Sequence, residues 1–283
     1  MPLWKATLAY DGTPFNGWQV QPNLPTVQGS LAHAIHHVTG ESVLPQGSGR
    51  TDTGVHALAQ VASFSLSVPI PAANLQRALN RALPPAIRIV SIEPASPSFH
   101  ARHSATAKTY EYRIFPSRHL LDTASAPRIC SPMLAPYVWD CPFPLDLASL
   151  QHAATHILGT HDFTSFAAAD PDLATRNAAA NSGPTDQIPP QHATAIRTIH
   201  HSSWQQHDGL LLYRVTGSGF LHHMVRNLVG TFVEIGNQRL PADAIPRILA
   251  ARNRSTAGPT APARGLFLCE VFYPSSSTAA DSR

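Results

Sequence analysis

The succession of strand-like and helix-like stretches is the feature that most constrains this chain, because the same grammar is used twice. Trp4 to Tyr10 reads as a strand that stops at the turn sequence Asp11-Gly12-Thr13-Pro14. Thr26 is placed to cap a helix over Val27 to Thr39, with Gly40 as its stop. Residues 61–68 alternate in part like a half-buried strand, Pro71 opens a helix reaching Leu83, and Ile87 to Glu93 returns as a strand. In the second half Tyr110 to Phe115 reads as a strand and Leu147 to Leu158 as a helix. Ala195 to Gln206 then pairs with Leu210 to Thr216 as a hairpin across His207-Asp208-Gly209. The longest apolar helix is expected over Phe220 to Ile235, followed by a helix near Ala242 to Ala251 and a last strand from Leu266 to Tyr273. Strands, helices and hairpins in this mixture point to an α+β architecture in two similar halves, residues 1–104 and 105–274. Residues 117–144 are irregular and proline-punctuated, residues 167–191 read as a long mobile loop, and 275–283 as a disordered tail.

Several function classes are disfavoured by what the sequence lacks. No apolar run reaches the length of a bilayer span, and the first residues lack the basic and apolar regions of a secretory leader, so the expected location is the cytoplasm. Cys130, Cys141 and Cys269 are an odd set without paired spacing, so reduced thiols are expected, not a disulfide framework or zinc site. The formal charge of +3 is compatible with a polyanionic partner without establishing one. Only Lys5 and Lys108 are lysines, and the other 18 basic residues are arginines, whose planar fork suits phosphates and base edges. A genome that favours arginine, alanine and proline codons explains much of that bias equally well.

The densest chemistry lies in Gly49-Arg50-Thr51-Asp52-Thr53-Gly54-Val55-His56-Ala57. Glycines on both sides of an acid let the backbone turn sharply and let a ligand approach closely. An Asp in such a place also serves simply to cap a turn, so spacing alone leaves both readings open. This run resembles the signature of the tRNA pseudouridine synthase A family, which commonly has alanine where Thr53 stands. Four further blocks resemble that family in order. They are residues 10–21, beginning Tyr10-Asp11-Gly12; Phe99-His100-Ala101-Arg102 with residues 105–112; residues 219–230, containing His222-His223-Met224-Val225-Arg226-Asn227; and residues 257–266. In the third run Lys108 stands where arginine is frequent. The similarity covers residues 3 to 274, interrupted at 168–194, which reads as an insertion.

The resemblance implies two ferredoxin-like halves whose antiparallel or mixed sheets meet at a central basic cleft, a homodimer, and a tRNA substrate modified at uridines 38, 39 and 40 of the anticodon stem-loop. It implies an isomerase that needs no cofactor, metal, nucleotide or membrane. The reaction breaks N1–C1′ of uridine, turns the base, joins C5 to C1′ and removes the C5 proton. A carboxylate, a platform for the base and a proton acceptor are therefore required. By resemblance Asp52 is the carboxylate; attack at C1′, attack at C6 and a glycal route all stay open. Tyr110 is the active-site tyrosine, although a strand tyrosine is as readily a core residue. Arg226 is the basic partner of Asp52. Its position amid Phe220, Leu221, Met224, Val225, Leu228 and Val229 supports that role, since an arginine on an apolar helix needs an acidic partner or exposure. The target base must leave its stack. Arg50, Arg102, Lys108, Arg252, Arg254 and Arg264 are candidate RNA-backbone contacts, each equally readable as a solvated residue.

Two rival classes follow from the same residues: a non-catalytic RNA-binding protein with this fold, and a metal-dependent hydrolase using Asp52 with His56. His33 with His37, and His152 with His156, are four apart on expected helices. Neither pair encloses the Glu of a HExxH site, and no phosphate-binding or dinucleotide-binding glycine run occurs.

Overall fold

A computed structural model describes residues 1–118, 126–168 and 195–274. The loop expected over 167–191 lies almost entirely outside the described residues, and so do the 168–194 insertion beyond its first residue and the tail 275–283. The strands are β1 (Leu3–Tyr10), β2 (Gln46–Gly47), β3 (His56–Ser65), β4 (Ile87–Ala95), β5 (Ala107–Pro116), β6 (Trp139–Cys141), β7 (Gly159–Asp162), β8 (Ile196–His207), β9 (Leu210–Gly217) and β10 (Leu266–Phe272). The helices are α1 (Val27–Thr39), α2 (Ala72–Ala82), α3 (Leu147–Thr155), α4 (Met224–Gly236) and α5 (Ala244–Ala251). The chain is thus α+β, with mostly antiparallel pairings. It divides into two compact units.

The first unit comprises Met1–Tyr112, Pro132–Val138 and the C-terminal stretch from Ala263. Alternation along β1 sends Trp4, Ala6, Leu8 and Tyr10 into the core. On either side β1 pairs antiparallel with β3 and β4. The last strand, β10, lies against β3, parallel over Phe267↔His56 and Leu268↔Ala57, and antiparallel to β5, which contributes Ala107–Tyr112 to this unit. Helix α1 begins as its sequence dictates: the Thr26 hydroxyl accepts from the Gly29 amide at 3.2 Å. It ends at Gly40, with φ 76° and its amide donating to the His36 carbonyl. Its inner face buries Val27, Leu31, Ala34 and Ile35.

The second unit comprises Arg113–Ser131 and Trp139–Pro262. Here β6 runs parallel to the last residues of β5 through Ile114↔Trp139, and β7, β8 and β9 form an antiparallel ladder. The β8–β9 hairpin turns as its sequence requires, with Asp208 at φ 48° and Gly209 at φ 75°, the left-handed pair of a tight two-residue loop. Trp204, Tyr213 and Phe232 form the aromatic centre, with ring centroids 5.0–6.1 Å apart.

Several boundaries differ from the sequence reading, two of them by four residues or more. Strand β3 starts at His56, not at Val61, because successive residues on both of its faces are buried and no alternation marks its first half. Helix α4 starts at Met224, not at Phe220. His223 takes the left-handed conformation, φ 58°, and the apolar residues before it form a turn. Apolar continuity alone does not show where a helix begins. Among the described residues no helix is long and apolar enough to cross a membrane.

Candidate active site

The stretch between β2 and β3 is a short loop fastened at nearly every residue, and Asp52 sits at its centre. Ser48 is fully buried; its hydroxyl donates to Gln60 Oε1 at 2.6 Å, and its amide to the Val61 carbonyl at 2.7 Å. Gln60, buried in β3, returns its amide to the Gly49 carbonyl at 2.9 Å. The Thr51 hydroxyl shares a 2.8 Å hydrogen bond with the Tyr10 hydroxyl, and its carbonyl accepts from the Trp18 amide at 3.0 Å. The Asp52 carbonyl accepts from the Val55 amide at 3.1 Å, which closes the turn. Thr51 and Val55 are buried while Asp52 itself is half-buried. The loop is therefore anchored on both sides of a carboxylate that keeps access to solvent.

The opening motif exists to receive this loop. A Cβ on Gly12 would lie 2.1 Å from the Val55 carbonyl oxygen. One on Gly17, whose φ is +82°, would lie 2.6 Å from the Thr51 carbonyl oxygen. Residues 10–18 and 48–56 thus form one packed unit, with the ring of Trp18 lying over Gly47. Its support includes His56. Nδ1 of His56 lies between the Gly12 amide, at 3.0 Å, and the Asp11 carboxylate, at 3.2 Å. Nε2 faces the carbonyls of Pro136 and Arg264, each at 3.2 Å, and the ring stacks on Phe267 at 4.7 Å. With both nitrogens occupied and 1% exposure, His56 is committed to the fold, which weighs against a hydrolase built on Asp52 and His56.

Tyr110 lies on β5, opposite Leu268 of β10, with its side chain buried. Burial, first, and then the nearby Tyr10, Asp52 and Cys269 groups hold its phenol well above the ordinary tyrosine range. Tyr10 is pushed up to about 12, again chiefly by burial. Both tyrosines are therefore neutral donors at physiological pH. Of the sequence candidates, Asp52 lies close enough to Tyr110 to raise its phenol, and Arg102 close enough to Lys108 to lower its amine.

The remaining candidates scatter by environment. Arg50 and Arg102 are exposed residues of the first unit. Arg264 is exposed too, although its Nε donates to the Val138 carbonyl at 3.0 Å. Lys108 is half-buried, with its amine 2.6 Å from the Ser48 carbonyl. In the second unit Arg252 caps α5 in the left-handed conformation, φ 48°, and pairs with Asp162 at 3.1 Å. It borders an open 680 Å³ depression with His156, His161 and Asp162.

Arg226, on the first turn of α4, is held by its own helix and the 253–262 loop. Its Nε donates to the Ala261 carbonyl at 2.8 Å, and the Ala261 amide donates back to the Arg226 carbonyl at 3.1 Å. Behind it, the fully buried Asn227 donates to the Phe166 carbonyl at 2.7 Å and accepts from Thr260 at 2.7 Å and Arg254 at 3.0 Å. Arg254 also donates to the Gly258 carbonyl at 2.9 Å. Arg254 thus spends its fork inside the protein. The contact is so close that a Cβ on Gly230 would lie 1.6 Å from the Pro259 carbonyl oxygen. Sequence reasoning did not single out Asn227 and Thr260, which surround Arg226, or Gln60, which supports the Asp52 loop. A polar amide amid apolar neighbours was the available signal in Asn227 and Gln60.

The comparisons with known proteins identify the family. The sequence pattern described as tRNA pseudouridine synthase matches residues 6–104 and 153–274, which include Asp52 and Arg226. The chain belongs to the tRNA pseudouridine synthase family. It is 48% identical over 266 residues to a protein named tRNA pseudouridine synthase A from Solibacter usitatus, covering 94% of this chain and 97% of the relative. A Moorella thermoacetica protein of the same name is 42% identical over 96% of this chain and all of its own length. Another from Rhodospirillum centenum is 40% identical over the same shares. As a tRNA pseudouridine synthase the protein is an isomerase, of a family that converts uridine to pseudouridine in tRNA. Tyr110 and Lys108 fall between the two matched segments of the family pattern but within the span shared with the full-length relatives.

Proposed function

We propose that this synthase isomerises uridines 38, 39 and 40 in the anticodon stem-loop of tRNA, with Asp52 as the catalytic carboxylate. The observation that carries this reading is the loop itself. Ser48, Gly49, Thr51 and Val55 are all tied down around one acid that keeps access to solvent. A carboxylate that only capped its own turn would not need anchors on both sides. Preorganisation of this kind is what a carboxylate acting on C1′ or C6, or on a glycal route, requires.

Tyr110 enters as a neutral phenol. Its ring is a platform for the extracted base, and its hydroxyl takes a proton only while passing on its own. Arg226 is the basic residue of the same reaction, held rigidly by the 253–262 loop. Arg50, Arg102, Arg252 and Arg264, all exposed, are the RNA-backbone contacts of this reading, with Lys108 the remaining candidate. Bond for bond the reaction is closed: N1–C1′ breaks, C5–C1′ forms, and the proton leaving C5 is balanced by one gained at N1. No co-reactant is consumed, in keeping with a cofactor-free enzyme. The reading carries with it the two halves, 1–104 and 105–274, and the cytoplasmic location expected from the sequence, together with the ferredoxin-like form, basic cleft and homodimer that the family resemblance implies.

The test is to incubate the protein with an unmodified tRNA transcript and map pseudouridine, with Asp52→Asn alongside. Product at 38–40 from the wild type, and a loss of more than about 10³-fold in Asp52→Asn with RNA binding kept, is the expected result. Product elsewhere removes the positional assignment. Undiminished turnover in the variant removes Asp52 from the chemistry and leaves it a residue that only shapes its loop.

A further inference from the structure

Lys108 is one of only two lysines in the chain. Its ammonium reaches the Ser48 carbonyl at 2.6 Å. A Cβ on residue 49 would lie 2.8 Å from Nζ, so the glycine there leaves room for the amine. The next carbonyl, that of Gly49, is held by Gln60 at 2.9 Å, and the Thr51 carbonyl by Trp18 at 3.0 Å. Three carbonyls in the four residues before Asp52 are therefore fixed. The first is fixed by a side chain that comes from β5, two residues before Tyr110.

We propose that Lys108 is a positioning residue for Asp52, pinning the start of the catalytic loop to the strand that carries Tyr110 instead of gripping the RNA backbone. This rests on the reading of Asp52 as the catalytic carboxylate. The geometry gives the lysine a reason to face inward: its donor meets a buried carbonyl, and the distance from Tyr110 to the Asp52 loop is set in part by its length. Arginine at this place would supply a similar donor on a bulkier, always charged head.

The latch responds to pH. Burial, and secondarily the Arg102 charge, lower the amine to about 8. The other ionisable groups on the surrounding elements are Arg50 and Asp52 on the loop, His56 on β3, Tyr110, Glu111, Tyr112 and Arg113 on β5, and Cys269 and Glu270 on β10. Below about 8 the bond to Ser48 is charge-assisted; above it a neutral amine donates more weakly. Stability moves the other way. The folded value lies below the ordinary 10.5, so between the two the unfolded chain binds more protons, and this group adds stability as pH rises. An activity loss above pH 8 from this source is therefore not a loss of fold.

The experiment measures single-turnover pseudouridine formation on an unmodified tRNA transcript from about pH 6.5 to 9.5, for wild type, Lys108→Arg and Lys108→Met. RNA affinity at several salt concentrations and thermal melting are recorded for each. The wild-type rate constant is expected to fall about 3- to 10-fold through a midpoint near 8, while Lys108→Arg holds its rate to the top of the range. Lys108→Met is expected at a low rate without that limb, with RNA affinity and its salt slope within about twofold of wild type. A shared midpoint in wild type and Lys108→Arg overturns the proposal. So does a Lys108→Met protein with wild-type rates, or one with weakened binding and a shallower salt slope, the mark of a phosphate contact. Asp52→Asn run in parallel separates the two readings. If it is active, the carboxylate assignment fails; if it is inactive and the lysine variants are indifferent, only the positioning role fails.

Discussion

The Asp52 loop and the Arg226 helix solve one problem, holding a charged side chain still, in opposite ways. Around Asp52 the protein relies on close backbone approach, with Gly12 and Gly17 lying against the carbonyls of Val55 and Thr51, and on separate hydrogen bonds at Ser48, Gly49, Thr51 and Val55. Around Arg226 it relies on a shared polar centre. The Asn227 amide joins Phe166, Thr260 and Arg254, and through them the 253–262 loop, to α4. A loop with many separate anchors degrades in small steps. A network with one hub fails as a unit, because three bonds go together and the fully buried Phe166 carbonyl loses its donor.

The largest effect should come from the tightest contact. Gly230→Ala places a Cβ 1.6 Å from the Pro259 carbonyl oxygen, backbone that cannot swing away. We expect a loss of about 3–5 kcal/mol, read by denaturant unfolding. A Gly230→Ala protein within 1 kcal/mol or so of wild type would show that the loop is not clamped to α4. Asn227→Ala should follow at about 2–4 kcal/mol, since Phe166, Thr260 and Arg254 lose a partner together. The comparison predicts that Asn227→Ala combined with Arg254→Ala costs much less than the sum of the two, a double-mutant cycle that additivity would break. The smallest effect belongs to the loop. Thr51→Val removes the 2.8 Å bond to Tyr10 and leaves the backbone anchors, so about 1 kcal/mol of stability and a modest drop in kcat are expected. A collapse in Thr51→Val would mean that the loop, too, has a hub.

Much of this was legible in the residues. Thr26, Gly40, Asp208 and Gly209 announce their turns and caps by chemistry that acts over a few bonds, and the structure places each where that chemistry requires. The motif around Asp52 was legible as a tight turn because its glycines are local. The parts that were not legible depend on contacts distant in sequence. Strand β3 begins at His56 because Phe267 and Leu268 cover it from more than 200 positions along the chain. The bond from Lys108 to Ser48 was not legible, because nothing nearby in sequence reveals that the two stand across from one another. Arg254 resembled a surface cation until the loop carbonyls folded back around it.

The placement of β10 has a consequence for how the protein is made. Its seven residues lie against β3 and pair with β5, yet they leave the ribosome after the whole second unit. Throughout synthesis the strand that follows the Asp52 loop therefore waits with one rim uncovered, and His56 lacks the Phe267 ring on which it stacks. Domains usually fold in the order of translation; here the unit begun first of the two is completed only after the second has been made, and the Asp52 turn matures with it.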